Sequence, residues 1–308
     1  MMFPMIWRKL KKSKTAMISL FVVLAYLCAG IGCEVYTVIC EINDITPVFA
    51  LTDEANCYAP PSPAHWCGTD YQGRDVLARA VAGIASALKV GFVASVIASV
   101  IGVCLGAAAG YFGGRTDDWV VWLYSTFAAM PTALFILAFA LLFSRNFLSP
   151  GLMRLVHGIG TVLHADPGAL AVYLAIGLTG WITLCRVVRG ETMRLRNMGY
   201  VQAAKVAGVR DAVIIFRHIL PNVFHLVIIY FTLSFASAIM LEVIVSYLGF
   251  GVQSAPSWGV MISDGQERLW RGVWWELATA TGFLFVLVLA LNLLGDALRD
   301  ALDPRSAK

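Results

Sequence analysis

Charge is scarce in this sequence: 14% of its 308 residues are charged, where soluble domains carry roughly 25%. Hydrophobic residues make up 59%, and the mean hydropathy is +0.76. A soluble chain of this length has too little polar surface to cover so much apolar material, so a soluble fold is excluded. Motifs of chemistry are also missing. There is no G-x-x-x-x-G-K-[ST] phosphate loop, so no ATP site is expected on this chain. There is no HExxH pair and no G-x-S-x-G elbow. His65, His157, His164, His218 and His225 are scattered, and the cysteines do not follow zinc-site spacing, so no metal centre is expected.

Long apolar runs are plentiful. A spanning helix needs ~20 mostly apolar residues, and six runs qualify, at 16–33, 86–112, 119–143, 168–188, 222–249 and 275–297. The second contains Gly102, Gly106 and Gly110, whose lack of a side chain lets spanning helices approach closely. The predicted fold is therefore an all-α integral membrane bundle. Six spans put both termini on one side. With that side cytoplasmic, sixteen of the 23 Lys and Arg fall in inner segments and seven in outer ones, which is the bias of the positive-inside rule. Basic clusters can also mark nucleic-acid binding. Beside apolar runs they mark the cytoplasmic face, and no nucleic-acid partner is expected. The first run has the basic-then-apolar order of a signal peptide, but no small-x-small cleavage pattern follows it cleanly, so it is read as a span.

The expected organisation is a basic cytoplasmic segment (1–15), a first span (16–33), an external loop (34–85), a transmembrane core (86–297) and a cytoplasmic tail (298–308). In the external loop, Cys57 and Cys67 flank Pro60, Pro61 and Pro63. They either form a disulfide, which an oxidising exterior permits, or remain free thiols. Asp70, Arg74 and Asp75 are expected to form an ion-pair cluster that fixes the start of the second span, or to meet an external protein. Asp296, Arg299 and Asp300 lie at helical spacing after the last span, where Arg299 can pair with Asp296 or Asp303. In the outer loop 144–167, Leu152, Leu155, Val156, Ile159, Val162 and Leu163 have helical spacing and predict an interfacial helix. Glu242 is the one acidic residue well inside an apolar run. Such a group faces the bundle or water, either as a pathway or gate residue, or in a structural hydrogen bond or subunit contact.

The core is interrupted by a long basic segment, 189–221, too charged to span and too long for a turn. Its pattern predicts two short helices. Tyr200, Ala203, Ala204 and Ala207 fall on one face of the first. Gly208 suits the C′ position, where positive φ is needed, and Asp211 suits the cap of the second. Pro221 sits near the start of the fifth span.

The spacing Ala203-Ala204-x-x-x-Gly208 followed by Ile219-Leu220-Pro221 resembles the "EAA" loop of ABC importer permeases. Further blocks resemble the peptide/nickel permease family, in particular its dipeptide and oligopeptide C-type subunits. They are GTDYQGRDVLAR (68–79), GYFGG (110–114), LGFG (248–251), PSWG (256–259) and NLLGDALRDALDP (292–304). The resemblance covers about 68–305. It implies a six-helix, type I ABC importer permease bundle with cytoplasmic coupling helices, in a bacterial inner membrane. Such a permease is not an enzyme and binds no cofactor. It works with a second permease, two cytoplasmic ATPases that bind ATP and Mg, and an external substrate-binding protein. Tyr200, Gln202, Ala203, Ala204 and Gly208 are then the expected ATPase-coupling residues, with Ile219 and Pro221 fixing the exit into the fifth span. Gln202 stands where the motif's name implies Glu, and the 144–167 loop is longer than usual for the family. Outside this resemblance, a channel or secondary transporter independent of ATP, or a membrane-embedded enzyme, are the competing classes. Neither accounts for the long basic segment.

Overall fold

A computed structural model describes residues 10–11, 13–144, 154, 158, 160, 167–251 and 255–302. It is a helical bundle. Five helices are long and apolar enough to cross a membrane, and a bent pair of helices makes up to a sixth span. The interfacial helix expected in 144–167 lies outside the described residues.

Helix α1 (Lys14–Ile42) starts where the Ser13 side chain accepts a hydrogen bond from the Ala16 amide. It runs nine residues beyond the expected end of the first span. Ile18, Phe21, Leu24, Ile31 and Val35 stay exposed along it, a surface that lipid or another apolar helix must cover. After two 3-10 turns, Val48–Ala50 and Glu54–Asn56, the Asp75 carboxylate caps α2 (Val76–Phe112) by accepting from the Ala78 amide at 2.8 Å. The helix thus begins ten residues earlier than the apolar run. Arg79 conceals that stretch in the sequence, because it is charged, yet it is buried here. At 37 residues, α2 is about 55 Å long, longer than the ~30 Å hydrocarbon core.

The third apolar run is not one straight span. It is broken into α3 (Gly114–Ala128) and α4 (Thr132–Ser144), which bend by 92° at the break. Pro131 sits in that break. It has no N–H to continue the ladder, and its ring disfavours helical backbone at the residue before it.

Helix α5 (Pro167–Arg196) packs along α2 as the most intimate pair in the bundle. The contact is a ridge of glycines four residues apart. A Cβ at Gly106 would lie 2.7 Å from the Cys185 carbonyl oxygen, one at Gly110 2.6 Å from that of Arg189, and one at Gly102 3.0 Å from that of Trp181. Lipid tails are as apolar as leucine, so close backbone packing rather than hydrophobic exclusion holds such pairs together. The chain continues through α6 (Gly199–Val206) and α7 (Asp211–Ile214) into α8 (Leu220–Tyr247), α9 (Trp258–Arg268) and α10 (Trp275–Leu302). The main buried cluster joins α1, α2, α5, α8, α9 and α10 around Val90, Ile176, Ile239, Trp258 and Leu287. Trp258 is held by its indole N–H, which donates to the Ala80 carbonyl at 2.8 Å.

Candidate coupling segment and transmembrane groove

One end of the bundle is built by residues 197–219. Helix α6 ends in a Schellman arrangement. The Gly208 amide donates to the Lys205 carbonyl and the Val209 amide to Ala204, both at 3.1 Å, while Gly208 takes φ +77°. That left-handed conformation suits glycine. Val209 and Ala204 then pack together against the buried Val201, Ile214 and Ile219. Ala204 therefore belongs to the inward face, because the closing turn folds Val209 back onto it. The outward face carries Tyr200, Ala203, Val206 and Ala207. Val206 is 89% exposed and Tyr200 45%. The sequence reading missed Val206; an apolar residue three positions after Ala203 was the available signal.

Asp211 does not cap its helix. Arg210 is the cap residue and makes no side-chain capping bond. The Asp211 carboxylate instead accepts the Tyr111 hydroxyl from the end of α2. Arg196 reaches the same place, donating to the Tyr111 carbonyl at 3.1 Å. Beside them, Arg189 of α5 grips Asp117 of α3 through two hydrogen bonds. The segment is thus tied to the ends of α2 and α5. Gln202 is exposed, but its amide turns back and donates to the Arg196 carbonyl at 2.8 Å. A glutamate in its place could not donate, so glutamine here satisfies a helix-end carbonyl that the acid would leave open.

A π-turn over Ile215–Ile219 joins α7 to α8. Pro221 lies in the first turn of α8 and cannot bond the preceding turn. Widening that turn accommodates it. The Leu220 amide reaches Ile215, and the Asn222 side chain donates to the His218 carbonyl at 2.7 Å and to the Tyr200 hydroxyl at 3.3 Å. Ile219 is fully buried beneath α6, whereas Pro221 is exposed.

The opposite end holds a buried charge network. Asp70 has no exposed side-chain surface, and its Oδ2 accepts from Arg74 at 2.7 Å and Arg79 at 2.6 Å. Its Oδ1 accepts the amides of Gln72 and Arg74. Arg79 also bonds Glu276 at 3.1 Å, and Arg268 approaches that glutamate at 3.9 Å. Asp75 stays out of this network. It caps α2 and binds His65 Nδ1 at 2.9 Å. Arg79, Glu276, Arg268 and His65 were not foreseen from the sequence. Burial pushes the Asp264 carboxyl above its ordinary range, against the pull of Arg268.

Two further expectations bear on the loop and the last helix. Of the two alternatives for Cys57 and Cys67, the structure has free thiols. Cys57 is exposed with its Sγ 3.9 Å from the Asp53 carbonyl, whereas Cys67 packs against the core. Arg299 and Asp296 form no ion pair with each other among the described residues. Both are exposed, and pairing in water returns little for the ordering it requires. Asp303 lies outside the described residues.

A cavity of about 460 Å³ opens between α2, the α3–α4 bend, α5 and α8. Its polar lining includes Ser95, Thr179, Thr183, Arg186, Ser234 and Ser237. Glu242 does not line it. Its carboxylate accepts the hydroxyls of Ser246 at 2.6 Å and Ser257 at 2.9 Å. Ser257 also caps α9, so this buried glutamate fastens α9 to α8. Of the two readings of Glu242, the geometry is that of the structural hydrogen bond.

Comparison with known proteins agrees with this architecture. Residues 102–308 match the family described as "Binding-protein-dependent transport system inner membrane component". The chain is 36% identical over 303 residues to the dipeptide transport system permease protein DppC of Bacillus subtilis (strain 168), covering 97% of this chain and 84% of that protein. It is 30% identical over 301 residues to the oligopeptide transport system permease protein OppC of the same organism, covering 97% and 88%. It is 35% identical over 242 residues to OppC of Escherichia coli (strain K12), covering 78% and 72%. With the family match spanning more than half its length and relatives aligned along nearly all of it, the chain belongs to the inner-membrane components of binding-protein-dependent transport systems.

Proposed function

We propose that this chain forms one half of the transmembrane pathway of an ATP-driven peptide importer, with residues 197–219 receiving the ATPase stroke. The observation that carries the reading is the two-sided construction of that segment. Its outward face presents Tyr200, Ala203, Val206 and Ala207, all exposed among the described residues. Its inward side is tied to α2 through Tyr111 and Asp211, and to α5 through Gln202 and Arg196. Small residues allow a groove on another protein to approach the backbone, and Tyr200 supplies a large anchor. A displacement of the segment is then transmitted to α2 and α5, two of the helices that border the groove.

The basic segments set the orientation, with both termini and the 197–219 end cytoplasmic. The 68–79 network and α9 then face outward, toward a substrate-binding protein. A second permease completes the pathway, and two cytoplasmic ATPases carry ATP and Mg. Peptides are the cargo by analogy with the DppC and OppC relatives. Movement follows rigid-body alternation between outward and inward access.

Affinity purification from native membranes in mild detergent, with mass spectrometry of what remains bound, tests this. Recovery of an ATPase and a second permease is expected. A chain that purifies alone, and that moves solute in liposomes without ATP, would refute the importer reading.

A further inference from the structure

The groove carries one charged side chain among its lining residues, Arg186 of α5. A guanidinium inside a spanning helix must face protein or water, since bare lipid is costly to it. Arg186 lies on the same face as Thr179 and Thr183, at helical spacing. Its Cζ stands 4.7 Å over the Tyr124 ring, a cation–π contact that orients the guanidinium and leaves its N–H fork unspent among the described residues. No acidic side chain among the described residues pairs with it. Thr179, Thr183, Ser234 and Ser237 share the lining. A planar cation with free donors, on a wall of Ser and Thr, is a surface prepared for an oxygen anion.

Building on the peptide-importer reading, we propose that Arg186 recognises a carboxylate of the passing peptide, its C-terminal group, and so sets a preference for free acids within the permease itself. Tyr124 is the positioning residue that holds the guanidinium toward the groove. The other source of a carboxylate is the sister permease, whose acidic side chain would use Arg186 as a subunit contact. The two sources differ in what a substitution does to cargo selectivity.

The test uses the complete complex in liposomes, with its ATPases, sister permease and binding protein. ATP-dependent uptake of trialanine and of trialanine amide is measured as kcat/KM for wild type, Arg186→Gln and Arg186→Lys. One binding protein serves all three, so its own preference cancels when acid-to-amide ratios are compared between variants. Loss of a charge-assisted hydrogen bond lowers the acid-to-amide ratio in Arg186→Gln by about tenfold or more, and Arg186→Lys restores part of it. An unchanged ratio overturns the proposal. A parallel fall for both peptides then marks a sister-subunit contact, and no fall marks a groove wall without recognition. Absence of ATP-driven uptake of either peptide by the wild-type complex overturns the importer reading as well, which separates the two failures.

Discussion

Removing Arg79 tests the largest electrostatic commitment in the structure. The guanidinium sits between Asp70 and Glu276, at 2.6 Å and 3.1 Å, with 6% of its side chain exposed and none of either carboxylate. Arg79→Met keeps the stem length and deletes the charge. Asp70 would retain Arg74 and two backbone amides. Glu276 would be left with Arg268 at 3.9 Å, and its Oε2 already lacks a hydrogen bond. Breaking one side of a buried pair costs about 3–5 kcal/mol, because a charge is left uncompensated. Removing both partners costs much less, so Arg79→Met with Glu276→Gln is expected to recover at least about half of the loss. The assay is equilibrium unfolding of detergent-solubilised protein by tryptophan fluorescence, as a double-mutant cycle. The indole of Trp275 donates to Thr69 at 3.0 Å beside the network and serves as a local reporter. A loss below about 1 kcal/mol in Arg79→Met, or strict additivity in the double variant, would show that water already screens the cluster and that the burial argument is wrong.

Three other outcomes follow from the geometry. Gly208→Val forces a β-branched residue to φ +77°, a strain of about 1–3 kcal/mol; the protein is expected to insert and to lose ATP-dependent uptake, and normal uptake would contradict the coupling role. Gly106→Leu drives a side chain into the Cys185 carbonyl, which lies 2.7 Å from even a Cβ. Overpacking of this kind costs about 1–3 kcal/mol and should lower the unfolding midpoint, whereas Gly282→Leu, where a Cβ meets nothing within 4 Å, should not. Glu242→Ala leaves the Ser246 and Ser257 hydroxyls without their acceptor, about 1–3 kcal/mol of destabilisation. Protease sensitivity at α9 reads this loss, and unaltered cleavage there would argue against Glu242 as the fastening group.

Much of the molecule is written in local sequence. Apolar length alone marks the spans, because lipid forces every backbone group into its own helix. The four-residue repeat of Gly102, Gly106 and Gly110 marks a close helix contact, and Gly208 marks a helix end, because backbone geometry at such positions favours glycine. The motif blocks mark the family. Other features required the tertiary structure. Periodicity placed Ala204 beside Ala203, but the fold-back of Val209 turned it inward. The apolar run over 119–143 read as continuous, yet it is broken and bent by 92° at Pro131. Arg79 lay outside the apolar run that marked the second span, and Glu242 was open between a gate and a structural bond. Their roles depend on Glu276, 197 residues away from Arg79, and on Ser257, 15 residues away from Glu242 at the start of the next helix. Spacing along one helix determines which side chains share a face. Only the packing of separate helices determines what that face meets, and for a buried charge the partner decides between a strut and a site.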